Sequence, residues 1–208
     1  MADEGIVAGL LLAAGGGSRF GGPKALVEFE GERLAGRGVR LLAEGGCRPV
    51  LVVVGAAQAA VEAELKAMTE NTAGDVVVVR NALWETGMGS SLRAGLEALP
   101  PSAVAVVIAL ADQPLVRPEA VRRLIAAFRG GARVAVAAYG GVPRNPVLIA
   151  REHLVEVAAQ AVGDVGARPF LRAHPELVTA VACDDAGDPA DVDTPDDLRL
   201  LRGGRPAL

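Results

Sequence analysis

Residues 10–26 of the sequence read LLLAAGGGSRFGGPKAL. An apolar run ends in three consecutive glycines, and Arg19, a second glycine pair and Lys24 follow at once. Glycines take positive φ without steric cost and leave backbone N–H groups exposed, which makes a nest for anions. Two cations beside such a nest suit a chain of phosphates. Two familiar phosphate loops fail on spacing. The dinucleotide fingerprint GxGxxG meets Phe20 where its last glycine belongs, after Gly15 and Gly17. The P-loop GxxxxGK[ST] accepts Gly17 and Gly22 but then meets Pro23, and no Ser or Thr follows Lys24 to hold magnesium. A glycine-rich turn with surface cations is the plain structural alternative.

Phosphoryl chemistry calls for a divalent cation, and magnesium prefers one or two carboxylates completed by water and phosphate oxygens. Asp112 ends the run AVAVVIALA. It therefore falls at the carboxyl end of a buried strand, where parallel sheets gather their ligands; the alternative is ordinary Asp-x-Pro turn chemistry. Seven aspartates lie between positions 184 and 197. Thr194, Pro195 and Asp197 form a capping box, with Thr at the N-cap and the acid at the third helical position. That gives Asp196 and Asp197 a structural role at a helix dipole. Asp184, Asp185 and Asp188 read as a solvated loop. Asp191 and Asp193 remain, just before the cap. In WETGMGSSL, Gly87 and Gly89 precede Ser90 and Ser91, either of which is placed to cap the next helix. Trp84 reads as a core residue.

The elements that must carry these residues alternate. Continuous apolar runs at 6–13, 49–55, 75–80, 103–111 and 133–139 predict strands covered on both faces. Helical periodicity appears at 34–45, 59–68, 91–99, 118–128, 151–162 and 195–202, the stripe Val121, Leu124, Ile125 and Phe128 being the clearest. This alternation predicts an α/β fold of three layers around a mainly parallel sheet. The chain is expected to be one domain, with 1–112 mainly nucleotide-binding, 113–202 acceptor-side and 203–208 a frayed tail. Residues 139–170, Gly/Pro-rich in patches, are expected to form a substrate-side lobe.

Five ordered blocks, spanning residues 6 to 200, resemble the nucleotidyltransferases of glycosyltransferase-A-like fold. The similarity is greatest to the branch of molybdenum cofactor cytidylyltransferases and guanylyltransferases. LAAGGGSRFGGPKAL is similar to the loop signature LAAGxGxR(M/F)G…K, ADQPLV to the metal-binding (A/G)DQP element and DVDTPDDL to (D/N)x(D/N)TPxDL. The stretch from Trp84 resembles the W…GM..SL..G block and GDVGAR the GDxGAR block. The resemblance implies a three-layer α/β/α sandwich with a Rossmann-like sheet of the nucleotide-diphospho-sugar transferase type. It implies that Ala14, Gly15, Gly16, Gly17 and Ser18 wrap the NTP phosphates while Arg19 and Lys24 neutralise them. Asp112 and Asp193 would hold Mg2+ or Mn2+, with Asp191 a further ligand or a support for one. Gly89, Ser90 and Ser91 would meet base or ribose, and Arg168 the second substrate.

The implied reaction moves CMP from CTP to molybdopterin and releases pyrophosphate; the product would pass to a molybdenum-containing oxidase or dehydrogenase. Guanylyl relatives usually begin LAGG, whereas Ala13-Ala14-Gly15 follows the cytidylyl pattern. GTP, other phosphorylated acceptors and a cofactor-delivery chaperone stay open. Arg144-Asn145-Pro146 stands where Gly-His-Pro is typical, so no histidine contact carries over.

Composition narrows the class. A chain of 208 residues, 51% hydrophobic but only 3% aromatic, builds its core from Ala, Val and Leu. A net charge of -4 with scattered basic residues argues against nucleic acid as the partner. The start lacks a basic signal-peptide region, and no run reaches the ~18 apolar residues of a membrane span. Cys47 and Cys183 form no CxxC motif and read as buried thiols. A soluble, cytoplasmic protein is expected.

Overall fold

The computed structural model describes residues 5–69 and 75–203. Its strands are β1 (Ile6–Leu12), β2 (Glu28–Phe29), β3 (Glu32–Arg33), β4 (Val50–Val54), β5 (Val76–Arg80), β6 (Ala103–Leu110), β7 (Val134–Tyr139), β8 (Val142–Ala150) and β9 (Val178–Ala182). The helices are α1 (Leu34–Glu44), α2 (Gln58–Thr69), α3 (Met88–Glu97), α4 (Pro118–Arg129), α5 (Leu154–Gln160), α6 (Arg168–Ala173) and α7 (Pro195–Gly203). Residues 204–208, most of the expected tail, lie outside the described residues.

Seven strands join one sheet in the order β5-β4-β1-β6-β8-β7-β9, and β2 and β3 form a separate short hairpin. Only β8 runs against its sheet neighbours, pairing antiparallel with β6 and β7. The sheet is thus mostly parallel, as the apolar runs predict. From β1 the chain winds outward to β4 and β5 and then returns to β6 on the other side, so the order reverses at β1. Such a reversal opens a crevice at the carboxyl ends of the flanking strands. Leu12 of β1 pairs with Leu110 of β6. The glycine loop and Asp112 therefore leave the sheet side by side.

Two apolar clusters sandwich the sheet. On one face Leu11, Leu42, Leu65, Leu124 and Phe128 pack under α1, α2 and α4. On the other Leu10, Leu92, Val157 and Phe170 pack under α3, α5 and α6. Full burial of each such side chain contributes about 1.5–3 kcal/mol. A third cluster, Phe29, Leu34, Val192 and Leu198, seats α7 against the hairpin and α1.

Two expectations change. The helix expected over 151–162 divides into a 3-10 turn at Arg151–His153 and the short α5. The stretch GGVPRNPVLI, part of the expected lobe, is β8 in the main sheet. Gly140 and Gly141, at φ of 57° and 76°, make the two-residue turn from β7, the φ pattern of a tight hairpin. The hairpin matters because it starts β8 at the sheet's ligand edge, with Arg144 and Asn145 there.

The capping box forms as its spacing predicts. Thr194 Oγ1 accepts from the Asp197 amide at 3.3 Å, while Asp197 Oδ2 accepts from the Thr194 amide at 2.7 Å and the Asp193 amide at 2.9 Å. The last bond fixes the backbone of Asp193. Thr194→Ala should lower stability by about 1 kcal/mol, a fall in Tm of roughly 2–4 °C for a chain of this size, read by thermal unfolding; an unchanged Tm would remove the cap from this account.

Candidate active site

The glycine loop, residues 13–23, lies between β1 and the 3-10 turn at Lys24–Leu26. Its ends are tied to the sheet: Ala13 donates to the Val53 carbonyl, and the Ala14 carbonyl accepts from Ala56. Between them, the amides of Gly15, Gly16, Gly17 and Ser18 donate to no acceptor among the described residues. Gly17, at φ 58°, accepts from the Phe20 and Gly22 amides and folds the loop back. A β-carbon there would stand 2.1 Å from the Gly22 carbonyl oxygen, so only glycine fits. A β-carbon on Gly15 would meet nothing. The loop is a tethered arc of unpaired amides, and Gly15 and Gly16 border a cavity, the makings of an anion nest.

Beside it stands a charge cluster drawn from three distant stretches. Lys24 Nζ donates to Asp112 Oδ2 at 2.9 Å and to Asp193 Oδ1 at 2.5 Å. Arg19 Nη1 reaches Asp193 Oδ2 at 3.2 Å. Burial works to lower the Lys24 pKa, but the hydrogen bond it donates to Asp193 and the field of Asp112 outweigh it, leaving the ammonium above its ordinary value. Asp193 is held below the usual carboxylate range, first by its hydrogen bond to Lys24 and then by the charges of Lys24 and Arg19. The sequence reading assigned these cations to phosphates and these acids to a metal. The structure brings all four together, with the lysine seated between the two acids.

Several bonds align the aspartates. The Val192 amide donates to the Asp112 carbonyl at 2.8 Å, stitching the two acidic segments together. Gln113, buried, donates through Nε2 to the Pro189 carbonyl at 3.0 Å and to Asp191 Oδ1 at 2.8 Å. Arg37 stacks over Phe29 and donates to the Pro114 carbonyl at 3.2 Å, holding the loop after Asp112. In the sequence, Gln113 is marked only by its place after the acid in the DQP element, and nothing marks Arg37.

The structure gives three of the expected site residues definite partners. Asp191 is turned to Gln113 and lines a different cavity; its crowded setting strips water and raises its carboxyl pKa. No group of three metal-ligating side chains exists among the described residues. Gly89 donates its amide to the Gly163 carbonyl at 2.7 Å, and a β-carbon there would overlap the Ala161 carbonyl oxygen. It packs helix to loop. Ser90 and Ser91 lie inside α3, whose N-cap is Gly87, and both hydroxyls accept from Asn81 Nδ2. Ser90 is thereby spent within the fold, while Ser91 still borders a cavity. Asp184 and Asp185 are anchors as well as surface acids, holding the Gly140 amide and Arg123.

That cavity, about 320 Å3, is lined by Ala14, Gly15, Gly16, Trp84, Ser91 and Asp112, among others. Trp84, which the sequence placed in the core, is half-buried and forms one wall. A second cavity of about 770 Å3 holds Gln113, Asn145, Arg168 and Asp191 in its lining. A narrow pocket of about 40 Å3 shares Leu12, Met88 and Leu110 with the first, and Asn145, Arg168 and Leu171 with the second. The two form one trench along the sheet edge.

An anion nest beside two carboxylates at a sheet's switch point is what nucleotide transfer requires, and the comparisons agree. The family described as the MobA-like NTP transferase domain matches residues 9–178. The chain belongs to that family. It is 38% identical, over 96% of its length and 98% of the relative's, to a protein of Paenarthrobacter nicotinovorans named nicotine blue oxidoreductase. It is 32% identical to 2-C-methyl-D-erythritol 4-phosphate cytidylyltransferase of Streptomyces avermitilis, over 86% of the chain and 77% of that enzyme. The crystal structure of Rv0371c from Mycobacterium tuberculosis H37Rv covers 95% of this chain and 97% of its own at TM-score 0.78 and 30% identity. That protein has also been solved in complex with manganese, at TM-score 0.75 and 29% identity over 96% and 100% of the two chains. The chain is a nucleotidyltransferase by family and fold, and among the described residues no helix is long and apolar enough to cross a membrane.

The depressed Asp193 carboxylate contributes stability that is complete above the ordinary carboxylate value and is lost as pH falls through the lowered one. Lys24→Ala should move the Asp193 carboxyl titration upward, followed by carbon-detected NMR; an unmoved titration would show that the lysine does not hold this acid in solution.

Proposed function

We propose that this enzyme moves CMP from CTP to a phosphate-bearing acceptor and releases pyrophosphate, with molybdopterin the acceptor that the sequence blocks imply. The observation that carries the reading is the Lys24 ammonium seated between Asp112 and Asp193, next to the free amides of residues 15–18. The donor set fits a divalent cation: two carboxylates from separate segments already converge on one positive charge. Mg2+ or Mn2+ held by Asp112 and Asp193 would supply charge compensation on the α-phosphate. Support for cytidine comes from the cytidylyltransferase relative.

The chain's own residues do the rest. Loop amides receive the β- and γ-phosphates, and Arg19 and Lys24 neutralise the charge that builds on them. An acceptor phosphate oxygen attacks the α-phosphorus, forming a P–O bond as the bond to the β-phosphate oxygen breaks. The electron pair leaves with pyrophosphate. An ionised phosphate needs no general base, so the catalysis is alignment and electrostatic stabilisation. The same reading divides the trench into a nucleotide side up to Asp112 and an acceptor side beyond it. It places the enzyme in the cytoplasm, where Cys47 and Cys183 stay as the buried free thiols seen here. Its product would be handed to a molybdenum-containing oxidase or dehydrogenase.

One observation favours a second reading. The relative matched over nearly its whole length is named an oxidoreductase, which would put a reduced dinucleotide in the same nest, or make the chain a carrier of nucleotide for a redox partner. A single panel separates the readings. With Mg2+, CTP should stabilise the protein against heat more than GTP, ATP, UTP, NADH or NADPH. Pyrophosphate release from CTP should fall at least ~100-fold in a folded Asp112→Asn variant, about 2.7 kcal/mol of transition-state stabilisation. Preference for NADH or NADPH, or an unchanged rate in the variant, would overturn the transfer reading.

A further inference from the structure

The larger cavity holds an arrangement that the nucleotide reaction leaves unused. Arg144 at the start of β8, and Arg168 and Arg172 on α6, all line it. None of the three guanidiniums donates to, or pairs with, an acceptor among the described residues. Most other arginines near the sheet are engaged: Arg37 and Arg40 with Glu32, Arg123 with Asp185, and Arg151 with the Pro100 and Ala103 carbonyls. The two carboxylates in the same lining accept hydrogen bonds from within the fold, Asp191 from Gln113 and Asp188 from the Ala190 amide. The lining thus carries three guanidiniums without ion-pair partners against two carboxylates, an excess of one positive charge, together with Val136, Val147 and Leu171.

Position within the trench separates the three cations. Arg168 borders both the narrow passage and the large cavity, so it stands nearest the point of transfer. Arg144 and Arg172 border only the large cavity. A phosphate attacking from the Asp112 side can reach the first of them, which leaves the other two for a different anion.

We propose that the cavity is a subsite for an acceptor with a second anionic group, which Arg144 and Arg172 clamp while its apolar body lies on Val147 and Leu171. Arg144 is then a specificity-determining residue of this chain, because it stands where the resembled motif has glycine. Guanidiniums suit this task, since their planar forks pair with carboxylate or phosphate in bidentate fashion. The inference rests on the transfer reading for the direction of attack, but the cavity and its charges stand without it.

The test uses phenyl phosphate and 4-carboxyphenyl phosphate, titrated calorimetrically into the whole protein with Mg2+ and a non-hydrolysable CTP analogue. The carboxylated probe should bind at least tenfold more tightly. That advantage should vanish in Arg144→Ala and in Arg172→Ala and return in part in Arg144→Lys, while affinity for the CTP analogue holds. Equal binding of the two probes, or an advantage that survives both alanine variants, overturns the proposal. Should the CTP analogue fail to bind while the arginine-dependent advantage persists, the transfer reading fails and the anion subsite stands.

Discussion

Two carboxylates that share one ammonium repel each other whenever that ammonium is gone, and the rest of the site is arranged around this constraint. Asp112, Asp193 and Lys24 come from the end of β6, the segment before α7 and the far side of the glycine loop. Holding them together takes rigid backbone. The Val192 amide on the Asp112 carbonyl, the Asp197 carboxylate on the Asp193 amide, and Gln113 and Arg37 around the intervening loop supply it. The site is a charge balance between two fixed acids and one ammonium, and on the proposed transfer reading a divalent cation would take that ammonium's place.

The sheet explains why the balance sits where it does. Reversal of strand order at β1 opens the crevice, and the Leu12–Leu110 pairing delivers the nest and the first aspartate to it together. The antiparallel β8 then extends the same edge toward Arg144, so that the two cavities are neighbours along it. A family named for NTP transfer and a close relative named an oxidoreductase both fit such a geometry, because a nest of amides reads phosphates and not the chemistry beyond them.

Much of this was legible in the sequence, for physical reasons. The central strands β1, β4, β6 and β7 are covered on both faces, so their unbroken apolar runs announce them. The capping box is a local code and formed as spelled. Strand β8 was illegible because Pro143, Arg144, Asn145 and Pro146 interrupt it, and prolines within a run argue against a strand. Strand β9, at the sheet edge, is mostly exposed, and its short apolar run VTAVA is broken by Thr179. The partners of Gly89, Ser90 and Asp191 were hidden for one reason. Each residue meets a partner far along the chain or hidden in the fold, namely Gly163, Asn81 or Gln113, and spacing along a sequence does not encode such meetings.

On the proposed transfer reading, Lys24 and a divalent cation compete for one seat between Asp112 and Asp193. The most direct measurement of that competition is the Mn2+ affinity of the nucleotide-free protein by electron paramagnetic resonance, in wild type and in Lys24→Met. Removing the resident ammonium should tighten Mn2+ binding at least tenfold, about 1.4 kcal/mol, and adding Asp193→Asn to that variant should abolish the gain. Equal or weaker Mn2+ binding in Lys24→Met would contradict the account.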